Sequence, residues 1–223
     1  MDSKQEKEAT VLVDFDGVIS ANAVELAIDF IHGFLNRYRA VPLETVRTFT
    51  KQTLSFRSDD TLLYYFRSLG LQSEIPRFRE EYAQFDRSVV SELSIDEGFW
   101  RFDEHCVQAG RRFFVLSLAS PQRLEALGAL RAGVIYSIPQ DSKCDPSTFQ
   151  RILSEIGATA ERTLYIDDSP LALAAAHSLG ITTVHMQNGM FGPKDSRLYQ
   201  QHIDHCVQTW PQFSAVAEGF INA

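Results

Sequence analysis

The sequence has few cysteines: Cys106, Cys144 and Cys206 stand far apart in 223 residues. So sparse and odd a set excludes a disulfide framework and the paired ligand spacing of a structural zinc site. No apolar run reaches the roughly 18 residues that a membrane-spanning helix needs, so no membrane partner is expected. Positive charge is not in excess either: 21 Lys and Arg stand against 29 Asp and Glu, a net charge of −8. A general binder of nucleic-acid backbones would carry a basic face, so no nucleic acid is expected as partner. A small phosphorylated ligand remains compatible, because a local positive pocket can sit inside an acidic protein. Internal repeats and low-complexity segments are absent. Residues 1–8 are polar and charged and lack an apolar signal segment, which reads as a flexible tail. With the unpaired cysteines, this makes the cytoplasm the expected compartment. Nothing in the sequence sets the oligomeric state.

The hydrophobic fraction is 44% and the charged fraction 22%, ordinary globular values that exclude disorder of the whole chain. The length suits one large domain or two small ones. Thr10-Val11-Leu12-Val13 reads as a buried strand that runs into Asp14-Phe15-Asp16-Gly17. Four similar runs follow, at 112–117, 134–138, 163–166 and 182–186. Helical patterns separate them at 122–130, 146–156 and 170–179, with Gly157 and Gly180 where C-caps would fall. Strands alternating with helices imply right-handed crossovers and a mostly parallel sheet, a Rossmann-like three-layer α/β core.

One stretch breaks the alternation. Val24, Ala27, Ile28, Ile31, Phe34, Leu35 and Tyr38 share one helical face, and 61–69 and 75–90 also read as helices. The expected organisation is therefore an α/β core from 9–20 and 97–223, interrupted by an all-helical domain at 21–96. Cys206-Val207 reads as a short edge strand, 188–193 as a loop and 210–220 as a closing helix.

Ligands of open parallel sheets bind beyond the carboxyl ends of the strands. The polar residues expected there are Asp14, Asp16, Ser117, Asp167 and Asp168, with Lys143 after the third strand. Converging carboxylates repel and raise one another's pKa, a strain that a divalent cation relieves. A set of hard oxygens without His or Cys points to Mg²⁺.

These residues carry a resemblance. Asp14-Phe15-Asp16-Gly17-Val18 after a hydrophobic strand resembles the first motif of the haloacid dehalogenase-like hydrolase superfamily. Ser117, closing Phe113-Phe114-Val115-Leu116, resembles the second motif, and Lys143, followed by Asp145-Pro146 and Phe149, the third. Tyr165-Ile166-Asp167-Asp168-Ser169-Pro170 resembles the acidic fourth. The motifs stand in the family's order, and the helical insertion falls where members with a helical cap carry theirs. The resemblance implies that Asp14 is a nucleophile forming an aspartyl-phosphate, and that Asp16 is the general acid and then the base. It implies Mg²⁺ held by Asp14, the backbone carbonyl of Asp16, Asp168 and, directly or through water, Asp167. Ser117, Lys143 and the backbone N–H of Leu118 would hold the phosphoryl oxygens. An acid two residues after the nucleophile favours phosphate-ester chemistry within the family.

Some positions depart from the pattern. Many members have Asn after the second-motif Ser, where Leu118 stands here, and Pro after the third-motif Lys, where Cys144 stands. The segment from Lys51 to Arg57 is read as separating two helices, and it loosely resembles the substrate loop of a cap domain. Arg57 and Lys51 are the specificity candidates. Cys144 is read as a small filler rather than a redox thiol, and His202 and His205 as a solvated face rather than a metal pair. The expected activity is Mg²⁺-dependent hydrolysis of a small soluble phosphomonoester. The alternatives are a phosphosugar mutase of the β-phosphoglucomutase type and a non-catalytic phospholigand-binding protein on the same fold.

Overall fold

The computed structural model describes residues 8–53, 55, 58–187 and 190–223. The chain enters through β1 (Thr10–Val13) and then makes four helices in succession. These are α1 (Ala23–Asn36), α2 (Leu43–Thr53), α3 (Ser58–Leu69) and α4 (Ile75–Ser88). Helix α5 (Glu97–Gln108) leads back to β2 (Phe113–Ser117), α6 (Pro121–Leu124) and β3 (Gly133–Ser137). Then come α7 (Pro146–Ile156), β4 (Thr163–Asp167), α8 (Pro170–His177) and β5 (Thr182–Met186). Helix α9 (Pro193–Leu198), β6 (His205–Val207) and α10 (Trp210–Ile221) complete the chain.

The six strands form one parallel sheet in the order β3-β2-β1-β4-β5-β6. Side chains alternate across it, as the two-residue period of a strand requires. Val11 and Val13 face a core shared with Phe99 and Phe102 of α5 and Trp210 and Phe213 of α10. Leu12 faces the opposite core with Phe149 and Ile152 of α7 and Leu173 of α8. A third apolar cluster joins Val24, Ile28, Phe34, Phe66 and Phe78 among α1 to α4. The two crossings between those helices and the sheet run side by side. Ser20 bridges Ile95, the Asp96 N–H donates to the Ile19 carbonyl at 3.1 Å, and the Asn22 side chain donates to the Glu92 carbonyl at 2.9 Å.

Topology fixes where a ligand can sit. From β1 the chain builds outward through β2 to β3, and α7 then returns it to β4 on the other flank of β1. The strand order reverses at β1 and β4, and the crevice beyond their carboxyl ends is the expected binding place.

Local boundaries differ from the sequence reading in three instructive places. The helix expected over 122–130 is only Pro121–Leu124, followed by a 3₁₀ turn at Glu125–Leu127. Asp103 of α5 explains the tightening: its carboxylate accepts the Arg131 and Ala132 N–H groups at 3.1 and 2.7 Å, pulling the chain into β3. Lys51 does not lie in a linker, because α2 continues to Thr53 and places Lys51 in its last turn. A cation is favoured at that end of a helix. The loop expected over 188–193 ends early, since Pro193 opens α9. A proline at the first helical position lacks only an N–H that would have had no partner. Residues 188 and 189, and Arg57, lie outside the described residues.

Candidate active site

The Asp14 N–H donates to the Ile166 carbonyl at 3.0 Å, which continues the β1–β4 pairing one residue past the strand. The chain then turns sharply around Phe15, whose carbonyl accepts the Ile19 and Ser20 N–H groups at 3.0 and 2.9 Å. Phe15 itself is fully buried and anchors the turn in the core. Gly17 has φ +86°, and a Cβ there would stand 2.2 Å from Asp168 Oδ2. Both the left-handed backbone and the lack of room demand glycine. The turn thereby closes directly over the Asp168 carboxylate.

Beyond β4, Asp167 Oδ1 accepts the Ser169 N–H at 2.7 Å, and Oδ2 accepts Lys143 Nζ at 3.1 Å and the Tyr165 hydroxyl. Lys143 Nζ also donates to Asp14 Oδ1. One ammonium thus bridges the carboxylates that follow β1 and end β4. Asp168 differs: both of its oxygens are buried, and neither has a hydrogen-bond partner. Asp14, Asp167 and Asp168 each bring a carboxylate oxygen within 4.8 Å of the others.

Three buried carboxylates share one ammonium, so negative charge is in excess. Burial, then the neighbouring Asp167, push the Asp14 and Asp168 carboxyls well above the usual range, and Lys143 only partly offsets this. Burial works against the charge on Lys143, but Asp14 and Asp167 outweigh it and hold the ammonium charged. A divalent cation fits this arrangement. It would give the unpartnered Asp168 carboxylate a counter-charge, and an all-oxygen donor set suits a hard metal such as Mg²⁺. It is the one such group of potential ligands among the described residues, and neither His202 nor His205 belongs to it.

Ser117, Asp16, Leu118 and Lys51 are the other described candidates. Ser117 ends β2 fully buried, and its hydroxyl accepts the Ala119 N–H at 3.0 Å. Asp16 is not among the clustered carboxylates; its side chain accepts a hydrogen bond from Arg123 at 3.2 Å. Leu118 and Asp16 lie on the wall of a cavity of about 300 Å³ between the carboxyl ends of the strands and helices α1 to α4. Lys51 is not on that wall; it pairs with Asp195 of α9 at 2.8 Å, with its ammonium 5.2 Å from the Phe191 ring. The Cys144 thiol is pushed up to about 11 by burial and is neutral at neutral pH.

Three contributors escaped the sequence reading. Arg123 of α6 is buried and donates from Nε to Asp86 at 3.0 Å and from a terminal nitrogen to the Tyr82 hydroxyl at 2.8 Å, both on α4. It therefore ties Asp16 to the helices across the cavity. Its spacing of four from Leu127 placed it on a buried face, a signal the sequence contains. His185 is fully buried, with Nε2 2.9 Å from the Asp168 carbonyl and Nδ1 2.7 Å from the Ser196 hydroxyl. A carbonyl only accepts, so Nε2 carries the proton, and burial lowers the imidazole pKa and keeps the ring neutral. Ser55 sits over the site: its carbonyl accepts the Lys143 N–H at 2.9 Å, and its hydroxyl bonds Ser169 Oγ at 2.6 Å. No periodicity points to Ser55, because the contact joins residues more than eighty positions apart.

Known structures share this architecture. A haloacid dehalogenase-like hydrolase from Bacteroides fragilis superposes with a TM-score of 0.74 at 19% identity, covering 93% of this chain and 100% of its own. A family IA, variant 3 haloacid dehalogenase hydrolase from Entamoeba histolytica gives 0.74 at 14% identity, over 97% of this chain and 100% of its own. A mutant of CbbY from Rhodobacter sphaeroides, in complex with xylulose-(1,5)bisphosphate, gives 0.70 at 18% identity, over 92% and 95%. No protein-family model and no curated protein matches the sequence. The chain has the haloacid dehalogenase-like fold.

Proposed function

We propose that this protein is a Mg²⁺-dependent phosphatase acting on a small phosphomonoester. The observation that carries the reading is the buried group Asp14, Asp167, Asp168 and Lys143 at the strand-order reversal, with both Asp168 oxygens unpartnered. That group draws on three of the four motifs, through Asp14, Lys143 and the Asp167-Asp168 pair, and the neighbouring structures share the fold.

In this reading Asp14 is the nucleophile. Its carboxylate oxygen forms a bond to phosphorus as the ester oxygen leaves, giving an aspartyl-phosphate. Asp16, at the cavity wall, gives its proton to the leaving alcohol and then takes one from the water that hydrolyses the intermediate. Lys143 holds a phosphoryl oxygen once substrate displaces its contacts to Asp14 and Asp167, and Ser117 and the Leu118 N–H hold others. Asp14, Asp167, Asp168 and the Asp16 carbonyl would hold Mg²⁺. When bound, the metal supplies charge neutralisation at the transferring phosphoryl group. His185 fixes the Asp168 backbone from behind. Helices α1 to α4 act as a cap over residues 21–96 that shields the site from water, with Ser55 seated on its rim. Such a site takes a small phosphorylated metabolite.

The test is phosphate release from a panel of phosphomonoesters in Mg²⁺ and in EDTA, for the wild type and Asp14→Asn. Release that needs Mg²⁺ and vanishes in the variant is expected. Release indifferent to EDTA, or retained by Asp14→Asn at wild-type rates, would refute the mechanism.

A further inference from the structure

The cavity beside Asp16 has a lopsided lining. Asp16, Leu118 and Ser120 form the wall nearest the site, and Phe49, Phe66 and Phe78 supply apolar surface opposite. Its volume of about 300 Å³ lies at the lower end for small-molecule sites. Most of the polar side chains that line it already have partners within the protein. Thr50 donates to the Val46 carbonyl at 2.9 Å, and the Ser120 hydroxyl accepts the Arg123 N–H at 3.3 Å. Among the buried side chains of the wall Tyr65 is the exception, while Gln140 is exposed. Tyr65 lines the cavity and is only 4% exposed, and its hydroxyl has no hydrogen-bond partner. Arg123 is the one buried cation on the wall, and it is shared by two carboxylates, Asp86 and Asp16.

We propose that the alcohol half of the substrate is a compact apolar group, ring-bearing or branched, that carries no second phosphate. The inference rests on the phosphatase reading and names its substrate class. Three arguments converge on it. Apolar walls favour a group whose transfer from water is favourable. A polyol would set several hydroxyls against the Phe49, Phe66 and Phe78 rings, which offer them no partner, a desolvation cost that an apolar group avoids. A second phosphate would meet Asp16 and Asp86 around a guanidinium already shared between them, so charge there opposes a second anion. The cavity thus differs in kind from one built for a sugar bisphosphate.

The experiment compares 2-phenylethyl phosphate with glucose 6-phosphate, two primary alkyl esters of similar intrinsic reactivity. Binding of both esters and of glucose 1,6-bisphosphate to Asp14→Asn is measured by calorimetry in Mg²⁺, and kcat/KM of the two esters is measured with the wild type. At least about tenfold preference for 2-phenylethyl phosphate is expected in both. Ala27→Phe, which fills the cavity from α1, should remove that preference. If Ala27→Phe does not fold, the two ratios above decide alone. Equal or tighter binding of glucose 6-phosphate or of glucose 1,6-bisphosphate, or no binding of 2-phenylethyl phosphate, overturns the inference. Metal-dependent phosphate release by the wild type would leave the phosphatase reading standing in that case. Preferential binding of 2-phenylethyl phosphate without phosphate release from either ester would support the pocket assignment and refute the hydrolytic reading instead.

Discussion

Asp168 concentrates the physical argument in one side chain. Its two oxygens are buried without partners beside two other buried carboxylates. An unpaired buried charge of this kind destabilises the fold that holds it. Asp168→Asn should therefore raise the stability of the metal-free protein by on the order of 1–2 kcal/mol, read from urea denaturation. Mg²⁺ is expected to stabilise the wild type, and the same substitution should remove that effect. A less stable metal-free variant that still gained from Mg²⁺ would show that Asp168 is satisfied in some other way. The residue types at this centre were legible in the sequence because each follows a hydrophobic strand, and strand ends converge in a parallel sheet. The bridging role of Lys143 was not: it depends on a reach from the loop before α7 to two separate strands, which no local pattern encodes.

Arg123, also a single side chain, acts on Asp16 without belonging to any motif. Its guanidinium fork bonds Asp86, Tyr82 and Asp16 at once. Lysine keeps the charge but lacks the fork. Arg123→Lys should fold and lower kcat by about tenfold or more, since Asp16 loses its fixed orientation. KM should change less. An unchanged kcat would detach Arg123 from the chemistry and leave it as a tie between α4 and α6.

At the scale of elements, the turn after β1 bears the tightest constraint. Gly17→Ala puts a methyl group against Asp168 in a left-handed backbone. A loss of about 1–3 kcal/mol in stability is expected from the backbone alone, together with weakened Mg²⁺ binding as Asp168 is displaced. Thermal unfolding with and without Mg²⁺ reads both effects, and a variant with wild-type values in each would contradict the described turn. The strands and the longer helices could be read from sequence because burial imposes a period of two or about four residues on them. The ends that failed were set by distant partners. Asp103 shortens α6 by drawing in 131 and 132, and the pairing of Lys51 with Asp195 joins two helices 144 positions apart in the chain. Lys51, a specificity candidate from its sequence neighbourhood, is held by that contact away from the cavity.

Across the whole molecule, three layers and a helical insertion converge on one crevice. The sheet puts Asp14 and Asp167 side by side by pairing β1 with β4, α7 begins just after Lys143, and α6 supplies Arg123. Helices α1 to α4 close the crevice with their own apolar cluster and leave the aromatic cavity beside Asp16. In the proposed mechanism most of the catalysis comes from charge fixed in place before the substrate arrives. The central claim is that phosphorus passes through Asp14. Its most direct test is a rapid acid quench during turnover in Mg²⁺, with borohydride trapping of the acyl-phosphate and mass mapping of the peptides. The account predicts trapped label at Asp14 and none in Asp14→Asn. Turnover with no label at Asp14, or with label on another residue, would contradict it.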